Sequence, residues 1–243
     1  MDSEKNLTPT QQQVLESLLE NVKKDQDFVN VDVPSKCQWY ETDKISVRPF
    51  TFKDEKVALS PSNQAKDFLN ILLKRCVQGI DPQDLFLIDR NAIILKIKEM
   101  STGSDVTVQI TCSKCGKTSE ITVDLNILPI VPVDVELPLE IHLDGINKTA
   151  KILPPKVKDE DYLLGLSLIS TNLWRFVTEI EGVSDEMVIT EVIDNLPVMD
   201  MHKLLRALNF AEYGVQTTIN YECGCGNVQE VEVPVTENFF GQI

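Results

Sequence analysis

The sequence predicts an α+β fold, and three observations carry that prediction. Residues 106–124 and 215–235 each alternate apolar and polar side chains on both sides of two cysteines and a glycine, the pattern of a β-hairpin. Residues 61–100 place apolar side chains at helical spacing. Residues 125–155 are proline-rich and β-like, whereas 158–212 break into short helical patterns. The 243 residues suit one large domain or two modest ones, and either can bury a real core.

The elements follow in order. Thr8-Pro9-Thr10-Gln11 is a capping box with proline at the first helical position. Val14, Leu15, Leu18, Leu19 and Val22 then share one face of a helix that ends near Lys24. Such a stripe packs on the chain's own core or on a partner, so Leu15, Leu18, Leu19 and Val22 are candidate partner-binding residues. Residues 25–43 form a polar linker containing Pro34. The alternation of Ile45, Val47, Phe50 and Phe52 predicts a strand over 44–52. A helix over 61–79 carries Ala65, Phe68, Leu69, Leu72, Leu73 and Cys76 and stops at Gly79. Asp81-Pro82 caps the next helix, which runs to about Met100 and is apolar on more than one side, hence central.

After the first hairpin, β segments over 133–143 and 148–153 flank an Asp144-Gly145 turn, and Pro154-Pro155 marks a boundary. Three or four short helices follow, broken at Gly182 and at Asn195-Leu196-Pro197. The second hairpin precedes Phe239-Phe240 near the end; this pair folds back on the core or anchors to a partner. The expected divisions are 1–43 (N-terminal helix and linker), 44–125 (α/β core with the first hairpin), 126–155 (β segment), 156–212 (helical insertion) and 213–243 (second hairpin and tail).

Of six cysteines, Cys76 reads as a small core residue and Cys37 lies in a polar loop without a visible partner. The others form Cys112-Ser-Lys-Cys115-Gly116 and Cys223-Gly-Cys225-Gly226, each at a hairpin tip. Two thiolates can point at one ion only if the backbone bends sharply behind them, which Gly116 and Gly226 permit; Gly224 allows the tighter bite of the second pair. Four cysteines are a standard tetrahedral zinc set, so Cys112, Cys115, Cys223 and Cys225 are the candidate ligands of one structural Zn2+. A redox Cys-x-x-Cys would need a thioredoxin-like βαβ setting, and catalytic zinc keeps a position open. The fold class is therefore α+β, with N-terminal helices plus β-hairpins joined by a four-cysteine zinc-ribbon-like site, and an inserted β and helical segment.

The net charge is −15, with 6 Lys/Arg against 15 Asp/Glu from residue 151 onward. Nucleic-acid binders neutralise phosphates with basic side chains, so this balance argues against nucleic acid and against anionic membranes, and leaves proteins as partners. The polar N-terminus lacks a signal-like stretch, giving an expectation of a reducing cytoplasm. Phosphate-loop, dinucleotide, nucleophile-elbow and zinc-protease motifs are missing. The two histidines, His142 and His202, sit in no motif. Asp159-Glu160-Asp161 reads as a helix-dipole cluster, Glu179, Glu181, Asp185 and Glu186 as a solvated loop, and Asp89-Arg90 as an ordinary surface pair rather than a buried one. No catalytic residue is assigned.

Several motifs fall in a telling order: Arg48-Pro49-Phe50-Thr51-Phe52-Lys53-Asp54-Glu55-Lys56, the helix over 68–79, Asp89-Arg90-x-x-Ile93-Ile94-Leu95-x-Ile97, Ser101-x-Gly103 and Cys112-x-x-Cys115-Gly116. Glu212-Tyr213-Gly214-Val215 before Cys223, and Phe239-Phe240, fit the same pattern. Together they resemble the T4-type bacteriophage baseplate hub family, which includes hub subunits and hub assembly factors of contractile tails. The resemblance covers 44–243. It implies a non-enzymatic structural or assembly role, other phage baseplate or tail hub proteins as partners, and several copies in a symmetric assembly. It also implies host cytoplasm during assembly and the virion tail baseplate afterwards. The alternative, a zinc-ribbon nucleic-acid or transcription-associated module, requires a basic face; an enzyme built on paired carboxylates requires an open pocket lined by them.

Overall fold

The structure is a computed structural model and describes residues 8–24, 27–58, 65–235 and 240, without the side chains of 20–24 and 65–67. Helix α1 (Pro9–Lys24) begins as the capping box requires: the Thr8 amide donates to Gln11 Oε1 at 2.9 Å and the Gln11 amide to Thr8 Oγ1 at 3.4 Å. Where a linker is expected, β1 (Val29–Val31) instead pairs antiparallel with β2 (Ile45–Val47), and Val33, Pro34 and Ser35 are buried.

The strand predicted over 44–52 stops at Val47, because a second capping box intervenes. Asp54 accepts from the Thr51 amide at 2.8 Å and its own amide donates to Thr51 Oγ1 at 3.4 Å, which starts α2 (Phe52–Ala58). The buried Asp54 carboxylate also binds Arg48 at 2.8 Å and Arg75 at 2.5 Å. Burial alone would raise its pKa, but the Arg48, Thr51 and Arg75 hydrogen bonds outweigh burial and hold it well below the usual carboxylate range.

Helix α3 (Ala65–Cys76) runs into β3 (Val77–Gln78), which completes the sheet order β1-β2-β3; the predicted start of this helix, 61–64, lies outside the described residues. Asp81 caps a separate 3-10 turn (Pro82–Asp84) rather than the next helix, α4 (Leu87–Thr102). As expected, α4 is central: Ile93, Ile94 and Ile97 are fully buried. Buried Lys98 donates to the carbonyls of Gly103 and Asp105, tying the end of α4 to β4 (Asp105–Thr111).

Strand β4 pairs with β5 (Thr118–Asp124). The short β6 (Ile130–Val131) is followed by β7 (Leu139–Leu143) and β8 (Lys148–Ile152), paired around the predicted Asp144-Gly145 turn. Asp200, buried on a later helix, accepts both amides of that turn at 3.0 and 2.8 Å. A 3-10 segment (Val157–Leu163), α5 (Leu166–Thr171) and another 3-10 turn (Leu173–Phe176) lead into β9 (Val177–Ile180), which adds to β8 within the stretch expected to be helical. Helices α6 (Glu186–Asp194) and α7 (Val198–Ala207) break where predicted. Strand β10 (Gly214–Val215) returns to pair with β6, and β11 (Thr218–Glu222) pairs with β12 (Val228–Glu232).

Two main cores result. The first joins Ile45, Leu73, Cys76, Ile93 and Ile97 with the inner faces of both hairpins, among them Val108, Ile110, Val123, Tyr221, Val231 and Val233. The second packs the β7-β8-β9 sheet on α6 and α7 through Leu143, Ile152, Phe176, Ile189 and Leu204. Phe86, Val133, Leu137, Leu153 and Phe210 form a smaller cluster. Phe240 folds back on the first core, edge-on to Phe50 with ring centroids 5.0 Å apart, so it is not an exposed anchor; Phe239 lies outside the described residues.

Candidate metal centre

The tips of the β4–β5 and β11–β12 hairpins meet. At the first, the Cys112 amide donates to the Lys117 carbonyl and the Gly116 amide to the Cys112 carbonyl, both at 2.9 Å. At the second, the Cys223 amide donates to Asn227 O and the Gly226 amide to Cys223 O, both at 2.8 Å. Gly116 and Gly226 have φ of +69° and +78°, left-handed backbone that glycine enters without strain. Gly224 differs from expectation. Its backbone is not left-handed and an added Cβ would meet nothing within 4 Å, so the tighter bite of the second pair does not depend on glycine there.

The four sulfurs all lie within 4.8 Å of one another. Cys112 to Cys225 and Cys115 to Cys223, pairs that cross between the hairpins, are each 3.8 Å. Zn–S bonds of about 2.3 Å arranged tetrahedrally give an edge of about 3.8 Å. The donor set and its spacing therefore fit one ion, and four thiols fill its coordination sphere. Each hairpin supplies one buried sulfur (Cys112, Cys223) and one exposed (Cys115, Cys225). The electrostatics point the same way. Amides of Cys115 and Lys114, helped by hydrogen bonds from Cys115 and Cys223, hold the Cys112 thiol down at about 6. The Asn227 amide pulls Cys225 down too, but desolvation and the sulfurs of Cys115, Cys223 and Cys112 push it up to about 11. Four sulfurs this close do not all ionise without a cation between them.

A supporting shell escaped sequence reasoning. Gln229 Oε1 accepts from the Ser113 amide at 2.8 Å, and Gln229 Nε2 donates to Thr111 O at 3.1 Å. Asn227 Nδ2 donates to Cys112 Sγ at 3.6 Å and to Ser113 Oγ at 3.3 Å. These amides hold the second hairpin against the tip of the first and orient a candidate ligand sulfur. The available signal was two amide side chains directly behind Cys225-Gly226 in a strand otherwise rich in glutamate.

Among the described residues, no other group of three or more His, Cys, Asp or Glu converges as these cysteines do. His142 is exposed, 3.7 Å from Asp144. Cys76 is fully buried, and burial pushes its thiol up to about 12. Asp89-Arg90 is not a surface pair. Asp89 is fully buried and accepts from the Ser35 amide, Ser35 Oγ and Tyr40 OH at 2.8, 2.5 and 2.6 Å, while Arg90 binds Glu160 at 2.6 Å. Burial raises the Asp89 pKa against the pull of those donors. Asp159 is buried in the first turn of the Val157–Leu163 3-10 segment, Asp185 caps α6, and Glu179 pairs with Lys151 at 3.0 Å. On α1, Val14, Leu15, Leu18 and Leu19 are exposed, Leu18 at 73%; the Val22 side chain lies outside the described residues. No helix among the described residues is long and apolar enough to cross a membrane.

Comparison with curated proteins and with solved structures yields no match. A family model described as T4 bacteriophage base plate protein matches residues 28–241. The match starts earlier than the resemblance over 44–243, and it takes in the β1 segment that packs with the first core. Spanning most of the sequence, it shows that the chain belongs to the T4 bacteriophage base plate protein family.

Proposed function

We propose that this chain is a non-enzymatic structural or assembly protein of the central hub of a contractile-tail baseplate. It works through protein–protein contacts on a scaffold clasped by one structural zinc ion, with Cys112, Cys115, Cys223 and Cys225 as ligands. The observation that carries the zinc reading is the four-sulfur cluster bridging two hairpins at tetrahedral spacing, in a chain of the base plate family. Zn2+ would supply the positive charge that four thiolates need and would leave no open position for substrate. The chain's own part is to hold the sulfurs in place with left-handed turns and the Asn227 and Gln229 amides.

The partners are other baseplate or tail hub proteins, met in several copies. The exposed face of α1, with Leu15, Leu18 and Leu19, is the docking surface this reading assigns. Virion composition tests the role. Mass spectrometry of purified particles should find this chain at a fixed copy number; its presence in infected-cell extract alone would leave only the assembly-factor form. Metal analysis of the purified chain should return about one zinc per chain.

A further inference from the structure

A pocket of about 550 Å3 opens beside the loop between β1 and β2, lined in part by Trp39, Tyr40, Glu41, Asp81, Asp84 and Lys156. The fold fixes this loop firmly. Buried Asp89 takes hydrogen bonds from Ser35 and Tyr40, and Tyr40 OH accepts the Phe86 amide at 2.8 Å while its ring stacks on Phe86 at 5.0 Å. Between those points Lys36, Cys37 and Trp39 have φ of +55°, +57° and +69°, a region that L-residues enter at a cost. The strained loop leaves Trp39 54% exposed, so packing inside the chain does not account for its indole.

The charges around the pocket are unequal. Lys156 and Lys158 both turn to Asp84, at 3.6 and 2.8 Å. Asp81 uses one oxygen to cap the Gln83 amide and faces no cation among the described residues, and Glu41 has no ion-pair partner there. An indole face with two uncompensated carboxylates suits a flat cation that stacks and donates at the same time. Guanidinium does both, whereas a lysine ammonium is a hydrated point charge.

We propose that this pocket receives an arginine side chain from a partner protein, with its guanidinium against Trp39 and on the carboxylates of Glu41 and Asp81. The reading of the chain as a baseplate component supplies only the source of that arginine. The test titrates the full 15N-labelled chain with N-acetyl-arginine amide and, as the neutral isostere, N-acetyl-citrulline amide. The readout is the Trp39 indole N–H signal, assigned with W39F, with Trp174 as the internal reference. Arginine amide should shift Trp39 and not Trp174, citrulline amide neither, and E41Q and D81N should each weaken binding about fivefold. Asparagine still caps the turn at 81, so D81N keeps the local fold. No Trp39 response, an equal response to citrulline, or unchanged binding in both variants would overturn the assignment. Virion composition tests the baseplate reading separately, so either can fail alone.

Discussion

In the first core the packed elements come from both ends of the chain: β2, α3 and α4 meet the β11–β12 hairpin, and four cysteines between positions 112 and 225 come together. In the second core every element lies between Leu139 and Leu208, and each strand pairs with the next strand along the chain. Bringing distant segments together costs loop entropy before any contact repays it. The proposed ion, by linking positions 112 and 225, would remove roughly 4–5 kcal/mol of that cost from the unfolded side, on the loop-length relation used for covalent cross-links. The region with distant partners is the one that carries the four-cysteine cluster; the region with near neighbours relies on packing and on local hydrogen bonds such as those of Asp200 to the β7–β8 turn.

The comparison breaks most visibly at the clasp. C112S or C225S should lose the metal and unfold the paired hairpins, measured as zinc content and as loss of amide-exchange protection over 105–124 and 218–232. Protection in β7–β9 should persist. A wild-type chain that binds no zinc and stays folded would sink the clasp. Next comes L204A, which empties a fully buried site in the second core and should cost about 2–5 kcal/mol in denaturant unfolding while zinc content stays unchanged.

D54N should cost about 2–3 kcal/mol by leaving Arg48 and Arg75 without their shared acceptor. It carries a pH signature as well. The folded Asp54 pKa lies below the ordinary value near 4, so its contribution is complete above that value and is lost as pH falls below it. The variant should therefore show a flatter loss of stability in acid than wild type. The smallest effect on the isolated chain belongs to L18E, which should move stability by no more than about 0.5 kcal/mol because Leu18 is exposed. Its consequence should appear in baseplate incorporation; normal incorporation would remove α1 as a docking face.

What was legible in the sequence follows the same division. The cysteine hairpins were readable because alternation and turn glycines are local signals, and the α1 capping box is complete within four residues. Three features were not. The strand over 44–52 stops early because Thr51 and Asp54 cap α2, and the apolar alternation hides that box. Strand β9 is four residues long and exists because β8 offers it an edge. Asp89 looks like half of a surface pair until Ser35 and Tyr40, far away in sequence, fold over it. Each depends on partners that a local window does not contain.

The inside-and-outside arrangement of the sulfurs has a chemical consequence. Cys115 and Cys225 face solvent on different hairpins, while Cys112 and Cys223 sit against the core. With an ion bound as proposed, a chelator or oxidant arriving from solvent would meet one sulfur of each hairpin first, and the inner two would give way last. Release of a bound ion would thus be stepwise, from the outer rim inward. Chelator treatment of the zinc-loaded chain should pass through a stage in which the ion is still held by the inner thiols, and full coordination should return when the chelator is removed under reducing conditions.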